Sequence, residues 1–557
     1  MKWHLLTDDI PHTLAELRSL LLTTRQITDE ATFFAPRHPT DITLAEVGID
    51  QEQMDLAIKR IDQARKSKEE MLVFGDYDAD GISSTAILWQ TLYALGCNVK
   101  PFIPHREKHG YGLSNRALDE ILAKKKPALI VTVDNGIVAH EPAKRLQAAG
   151  VDVIITDHHL PEATLPHALA IIHSTKLCGA TVAWMFAREL AAALGEKVGG
   201  KSASVNSALD LGGLATIADQ VPLQGANRSF AYHGVRAIRM TKRVGLIELM
   251  KLAELTQNSI TVTDVNYGLA PRINAMGRLE HGLEALRLLC TSKLETAQRL
   301  ASTLADTNVR RQDLTSEMVE QARQEADSWK DEHLIIVSAD NYHDGVIGLI
   351  AGRLMEEYYK PAIVISVTGD IAKASARSIP GVNIVELIRE VKSDLLEVGG
   401  HPMAAGFGFE SKKLQVVKSR LLALAKARID AAKLEPKIDV EAVLPFELIN
   451  EELADFLTQF EPFGQGNRMP IFGLRQARVL DAFTMGRDHT HLKLVISSSE
   501  AQGRVKPIYT VGWRMGHLAQ KLKAGMLIDI AGAVEINEYK GRRNVQLLIK
   551  DVVLAEN

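Results

Sequence analysis

Three aspartates stand at alternate positions in Gly75-Asp-Tyr-Asp-Ala-Asp-Gly81, and an Asp-His-His triplet occupies 157–159. If the chain leaves a strand extended, Asp76, Asp78 and Asp80 share one face. Three carboxylates there repel one another unless cations neutralise them, and Gly81 then allows a sharp turn into a helix at Ser83. A calcium loop of the EF-hand kind needs a Glu at its twelfth position, where Ile87 stands, and a preceding helix. Asp134 in Val131-Thr-Val-Asp-Asn-Gly136 repeats the pattern at the end of another apolar run. Asp157, His158 and His159 follow the next one, and Asp219 closes the apolar stretch Leu214-Ala-Thr-Ile-Ala-Asp219.

Singly, each has a plain reading: a solvated acidic turn, a structural histidine, a carboxylate at a helix end. Together, several Asp and one or two neutral His make an oxygen-rich set suited to Mn²⁺ or Mg²⁺, not to zinc held by thiolates. Two such ions about 3.5–4 Å apart clamp an in-line phosphoryl displacement, with a bridging carboxylate and a water as nucleophile. Metal-dependent phosphoester hydrolysis is the chemistry this set implies, and it needs no Ser or Cys nucleophile.

A second constellation is cationic. Gly399-Gly400-His401 opens a glycine-rich stretch that reads as flexible backbone beside an imidazole. Ser375 and Arg377 end a strand, and Arg272 and Arg278 flank Asn274. Arg106 and Tyr111 follow a strand at 99–103. Guanidinium forks match phosphate oxygens, glycine amides approach them closely, and a tyrosine can stack on a base. For each arginine alone, a surface salt bridge is the commoner role.

The elements that must position these groups alternate. Strands are expected at 71–75, 99–103, 128–133, 152–156 and 168–172, and helices at 83–95, 114–125, 139–149 and 180–195. That order predicts a mostly parallel sheet with ligands beyond the carboxyl ends of its strands. Residues 203–330 read as helical, and 293–330 lack Pro and Gly, which predicts a long connecting helix. A smaller α/β domain follows, with strands at 334–338, 362–367 and 371–376 and helices at 345–357 and 411–430. Five β-rich runs (470–480, 491–497, 507–513, 526–534 and 544–553) and a helix at 449–460 predict an OB-like barrel. The expected domains are an N-terminal extension over 1–50, a catalytic α/β domain over 51–290, a connecting helix over 291–330, a smaller α/β domain over 331–435 and the barrel over 436–557.

Bulk properties agree. At 557 residues the chain exceeds one core. Net charge is -4, yet residues 461–557 hold 14 Lys/Arg against 9 Asp/Glu, a basic module beside an acidic body. Three scattered cysteines favour a reducing compartment, and neither a signal-peptide core nor a membrane span is expected.

The ordered set of motifs resembles the DHH phosphoesterase superfamily, and within it the RecJ single-strand-specific exonucleases. It runs through Gly75–Gly81, Tyr111-Gly-Leu-Ser114, Thr132–Gly136, Asp157–His159, Ala218-Asp219 and the 271–278 stretch. It continues through His343–Gly348, Ser375–Ser378, Gly399–Gly406 and Glu461–Asn467. The resemblance implies a 5′→3′ exonuclease on single-stranded DNA that releases 5′-mononucleotides with Mn²⁺ or Mg²⁺ in recombination and repair. It implies Asp78, Asp80, Asp134, His158 and Asp219 as ligands, with Asp134 bridging and Asp76 in the same acidic site. His159 would contact the scissile phosphate, and the catalytic group is expected to be His159, Asp134 and Asp157. Arg278, Ser375, Arg377 and His401 would hold nucleotide phosphates, with Gly400 and Arg272 added to that set. Arg106 and Tyr111 would seat the 5′ end.

A cytoplasmic monomer is expected, with a single-strand-binding protein and a helicase as partners and no membrane. Some superfamily members place a metal-binding His where Phe74 stands, which leaves a gap for Asp76. The usual Asn-Pro after the triplet is His173-Ser174 here, and the further C-terminal domain of some relatives is not expected. A small-substrate DHH phosphoesterase is the alternative enzyme, acting on oligoribonucleotides or cyclic dinucleotides, but it needs neither the long helix nor a basic barrel. An inactive DNA-binding scaffold is the non-enzymatic alternative, and the retained acidic set argues against it.

Overall fold

The structure is a computed structural model that describes residues 1–195, 208–486, 488–499, 506–539 and 542–555. Residues 203–207 of the expected helical stretch lie outside the described ones. Two compact units form: one from Met1–Arg37, Pro222–Gln224 and Lys437–Asn557, the other from His38–Val221 and Gly225–Pro436.

The larger unit opens with a five-stranded, wholly parallel sheet, ordered Val99–Phe102, Met71–Phe74, Leu129–Val133, Asp152–Asp157, Ala170–His173. These short strands are apolar and mostly buried, as a sheet covered on both faces requires. The chain leaves Met71–Phe74 for one neighbour, then returns to the other. The order therefore reverses between Met71–Phe74 and Leu129–Val133, and ligands of such sheets bind where it does. Asp76, Asp78 and Asp80 follow the first of those strands and Asp134 the second.

Two expectations are corrected here. The three aspartates do not extend along one face. Asp78 caps a helix that runs Ala79–Ala94 and accepts the Gly81 N–H at 2.9 Å, so Asp80 already sits in the first helical turn. A capping carboxylate satisfies an amide that further extension would leave open. Gly81 is consequently inside the helix, not at a turn before it. Its lack of a side chain lets the helix press on Asp76, because a Cβ there would stand 2.5 Å from Asp76 Cβ and 2.7 Å from its Cα.

The long connecting helix is Leu294–Ala326, 33 residues and about 50 Å. Beyond it lies a mixed sheet ordered Glu397–His401, Ala404–Glu410, Ile371–Arg377, Ala362–Thr368, Ile335–Ala339, of which only the last two pair in parallel. Gly399–Gly406 is not loose backbone but an antiparallel hairpin, with Gly400 at φ +136° opposite Ala405. Ladder pairing offsets the freedom its glycines lose. Register then sets His401, Ala404 and Arg377 in one row, and Gly399, Gly406 and Ser375 in another.

In the smaller unit, Phe472–Met485, His491–Ser498, Ile508–Gly512, Arg542–Leu554 and Leu527–Tyr539 pair in that order. Leu527–Tyr539 also pairs with Phe472–Met485, which closes a five-stranded barrel of the OB kind. Leu492, Leu494 and Ile496 alternate into its core. Lys2–Leu5 pairs in parallel with Lys437–Val440, and Leu17 and Leu21 of the Leu14–Thr24 helix are fully buried in the same core.

Gly81→Ala should force the Ala79–Ala94 helix off Asp76, with a loss of about 1–3 kcal/mol. Urea unfolding of the metal-free chain reads it. An unchanged midpoint would contradict the close approach.

Candidate metal centre and phosphate site

Five carboxylates converge at the carboxyl end of the parallel sheet: Asp76, Asp78 and Asp80 from one turn into a helix, Asp134 from a second strand end and Asp219 from the end of another helix. Asp76, Asp78 and Asp134 each offer an oxygen within 4.8 Å of the others, as do the donors of Asp80, His158 and Asp219 and those of Asp134, His158 and His159. Asp134 and His158 thus belong to overlapping groups. His158 Nε2 lies 3.1 Å from Asp134 Oδ1, 3.7 Å from Asp80 Oδ2 and 3.8 Å from Asp219 Oδ2.

Each position has a local cause. Asp134 holds φ +61°, an uncommon left-handed conformation for a non-glycine residue and of the strained kind found at functional sites. Asp80 is gripped by the Gly179–Leu194 helix, whose first amides, of Gly179 and Ala180, donate to its two oxygens at 2.7 Å each. Cys178 at the N-cap of that helix offers no side-chain hydrogen bond to the helix amides. Asp80 supplies the missing acceptors, which suits a helix N-terminus. Asp219 is the C-cap of Leu209–Ala218. The grip of Gly179 and Ala180 escaped sequence reasoning; a helix start without a capping side chain was its only trace.

Without cations this arrangement is costly. Burial, reinforced by the charge of Asp78, pushes the Asp76 carboxyl up to about 8 and the Asp80 carboxyl up to about 6. Burial and then Asp80 drive Asp134 and Asp219 well above the usual range. Burial holds His158 down to about 4, a neutral imidazole fit to be a ligand. Its contact with Asp134 is therefore no ordinary ion pair: both partners favour their uncharged forms. Apart from the close His158 Nε2, the buried Asp134 Oδ1 has no hydrogen-bond partner among the described residues. That carboxylate oxygen, four further acids and a neutral imidazole fit hard divalent cations. Phe74, where some relatives carry a histidine, is fully buried and stacks on Phe102 at 5.2 Å, facing the core.

Asp157 lies behind this cluster. It accepts the Ile137, His158 and His159 amides at 2.9, 2.7 and 3.2 Å and contacts His159 Nδ1 at 2.7 Å. Burial raises its carboxyl, but the His159 hydrogen bond and charge outweigh that and hold it below the usual range. An ionised carboxylate only accepts, so Nδ1 carries the proton. Nε2 of His159 faces the Tyr111 hydroxyl at 2.9 Å, and the His159 ring stacks on His401, centroids 6.2 Å apart. The structure thus brings Tyr111, His159 and His401 together, with Asp157 as the orienting group.

Among the described residues, none of Arg106, Arg272, Arg278 and Arg377 forms a salt bridge with a carboxylate; their hydrogen bonds go to carbonyls and a hydroxyl. Arg278 donates to the Gly345 carbonyl at 3.1 Å, and Arg377 to Ser375 Oγ at 3.3 Å and to the Ala376 carbonyl at 2.8 Å. Burial, then Arg106 and Arg377, bring Arg278 down to about 10; burial, then Arg106, lower Arg377. Arg106 lies over the Tyr77 ring at 5.4 Å. Desolvated guanidiniums in mutual repulsion form an anion site. Arg272 donates to the Gly268 carbonyl at 2.6 Å, and its Nε is buried without a partner.

Three family models match: DHH family, N-terminal domain, over 70–209; DHHA1 domain over 331–429; and RecJ OB domain over 440–551. The chain is 35% identical to the single-stranded-DNA-specific exonuclease RecJ of Bacillus subtilis, over 90% of this chain and 64% of that protein. It is 32% identical to the Salmonella typhimurium RecJ exonuclease over 90% of each. The Thermus thermophilus RecJ structure in complex with Mn²⁺ superposes with a TM-score of 0.81 at 29% identity, covering 100% of this chain and 80% of that one. The structure with Mg²⁺ gives 0.76 at 28%, covering 100% and 79%.

The raised acids make a pH prediction. Above pH about 6.5 His158 is mostly neutral folded or unfolded and its opposing contribution fades, while His159, raised beside Asp157, adds a loss of the same sign as the acids. From there to about pH 8 the fold retains protons that the unfolded chain has released. Metal-free stability must then fall as pH rises. The unfolding midpoint in EDTA should drop between pH 6.5 and 8, and saturating Mn²⁺ should flatten that slope. Equal slopes would contradict the assignment.

Proposed function

Because the chain belongs to the RecJ family of single-stranded-DNA-specific exonucleases, we propose that it hydrolyses single-stranded DNA from the 5′ end, releasing 5′-mononucleotides with Mn²⁺ or Mg²⁺. The observation that supports this best is the pairing of two opposite clusters in one unit. Five convergent carboxylates with a neutral His158 stand beside arginines that, among the described residues, form no salt bridge.

Asp76, Asp78 and Asp134 would hold one cation and Asp80, His158 and Asp219 the other, with Asp134 shared between them. Cations bound there would neutralise charge that develops on the phosphoryl oxygens. The protein's own groups do the rest. Asp157 keeps the Nδ1 proton on His159, and Nε2, beside the Tyr111 hydroxyl, would face the scissile phosphate. Arg278, Arg377, Ser375 and His401 would bind the phosphates of the terminal nucleotide, with the Gly400 backbone beside them, and Arg106 would close over the 5′ end. Arg272 would take a further phosphate with its open Nε. The barrel, its sequence basic, would bind the single strand.

Among the described residues, no helix is long and apolar enough to cross a membrane. A cytoplasmic monomer that works with a single-strand-binding protein and a helicase in recombination and repair completes the proposal. The intact acidic set disfavours an inactive scaffold.

Digestion of 5′- and 3′-labelled single strands in Mn²⁺, Mg²⁺ and EDTA, with duplex and RNA controls, tests the reading. A 5′ label should appear at once as mononucleotide while 3′-labelled strands shorten progressively. The reverse pattern overturns the polarity, and undiminished activity in EDTA overturns the metal. Asp134→Ala and His158→Ala should each lower kcat about a thousandfold or more with circular dichroism unchanged. Full activity in either sinks the ligand assignment.

A further inference from the structure

Asn274 stands between Arg272 and Arg278 on the Ala270–Leu279 helix, and no role above uses it. Its Oδ1 accepts the Ala79 N–H at 2.7 Å. Ala79 is the residue between Asp78 and Asp80 and the first of its helix. A backbone N–H only donates, so the amide orientation is fixed: Oδ1 faces the acidic turn and Nδ2 faces away. Asn274 is half-buried, and Nδ2 has no hydrogen-bond partner among the described residues.

The second half of the helix that carries Asn274 is held on two sides. Three residues on, the position of a Cβ on Gly277 is taken by the Tyr77 carbonyl oxygen, 2.3 Å away, so the helix backbone lies directly against the acidic turn. Next to it, Arg278 donates to the Gly345 carbonyl of the smaller α/β domain. One ten-residue helix thus holds the acidic turn through Asn274 and presents a phosphate-binding guanidinium one turn later.

We propose that Asn274 is a two-sided positioning residue: its carbonyl oxygen aims the Asp78 and Asp80 carboxylates, and its free Nδ2 donates to an oxygen of the substrate phosphate. Phosphate capture by Arg278 and assembly of the cation site are thereby coupled through one short helix. This rests on the ligand assignment of Asp78 and Asp80 proposed above. An amide suits the place because a neutral donor approaches a phosphate without competing with cations for the carboxylates, as a lysine would. Groups behind metal ligands typically set affinity by 10–100-fold when removed.

Two variants of the full chain separate the two faces. Asn274→Asp keeps an oxygen for Ala79 but has no amide donor; Asn274→Ala loses both. Mn²⁺ binding to the metal-free protein is read by titration calorimetry, KM and kcat on single-stranded DNA by product release, and the unfolding midpoint in EDTA by circular dichroism. Asn274→Ala should weaken Mn²⁺ about tenfold or more. Asn274→Asp should bind Mn²⁺ at least as tightly as the wild type while KM rises about tenfold. Wild-type Mn²⁺ affinity in Asn274→Ala overturns the positioning role, and wild-type KM in Asn274→Asp overturns the phosphate contact. Should Asn274→Ala fail to fold, weakened Mn²⁺ in the folded Asn274→Asp chain overturns the oxygen's role instead. A wild-type chain that binds no Mn²⁺ removes the ligand assignment itself, which is a different failure from equal binding by wild type and Asn274→Ala.

Discussion

Repulsion among five carboxylates governs this structure. Asp76, Asp78, Asp80, Asp134 and Asp219 are brought together where burial strengthens every charge. His159 and Arg106 offset only part of the rise at Asp76, and His158, in the midst of the acids, is held uncharged by the same burial. The surrounding features answer that constraint. Helix amides of Gly179 and Ala180 grip Asp80, Asp134 sits in a left-handed backbone, and an oxygen of Asp134 is buried with no hydrogen-bond partner but His158 among the described residues. A fold that keeps so unfavourable a cluster keeps it for cations.

The opposite charge lies across from it, not within it. Arg106, Arg278 and Arg377 repel one another as the acids do, and among the described residues none of the three forms a salt bridge. Two clusters of opposite sign, joined by the Tyr111–His159–His401 group, have the charges that the proposed substrate, a phosphodiester with cations on one side, would need. Strand register on the smaller sheet puts Arg377 and His401 in one row, and the parallel sheet puts the acids at its point of reversal. Topology delivers the groups, and charge decides what they bind.

Much of this was legible in the sequence because it is local. Apolar runs such as Met71–Phe74 and Leu129–Val133 mark buried strands, and an acid just beyond such a run must sit at a sheet end. The long helix was plain from composition, and the five barrel strands from alternation. What stayed hidden depends on competition or on contacts between distant residues. Whether Asp78 extends a strand or caps a helix turns on a hydrogen bond to Gly81, three residues on. Gly399–Gly406 looked loose because glycines carry no pattern, and only its neighbours in the sheet make it a hairpin. The amides that hold Asp80 lie about a hundred positions away, and those that fix Asp157 sit in its own and a neighbouring loop. For Asp157, expected in the catalytic group, the motif could not show that Oδ1 holds His159 and two amides while Oδ2 accepts the Ile137 amide.

The central claim is that the acid cluster is one site for two cations sharing Asp134. Equilibrium titration of the metal-free chain with Mn²⁺, followed by loss of the free-ion paramagnetic resonance signal, measures it directly. The account predicts two ions per chain and, in Asp134→Ala, weakening of both together. A single ion in the wild type, or one undisturbed site surviving in Asp134→Ala, would contradict it.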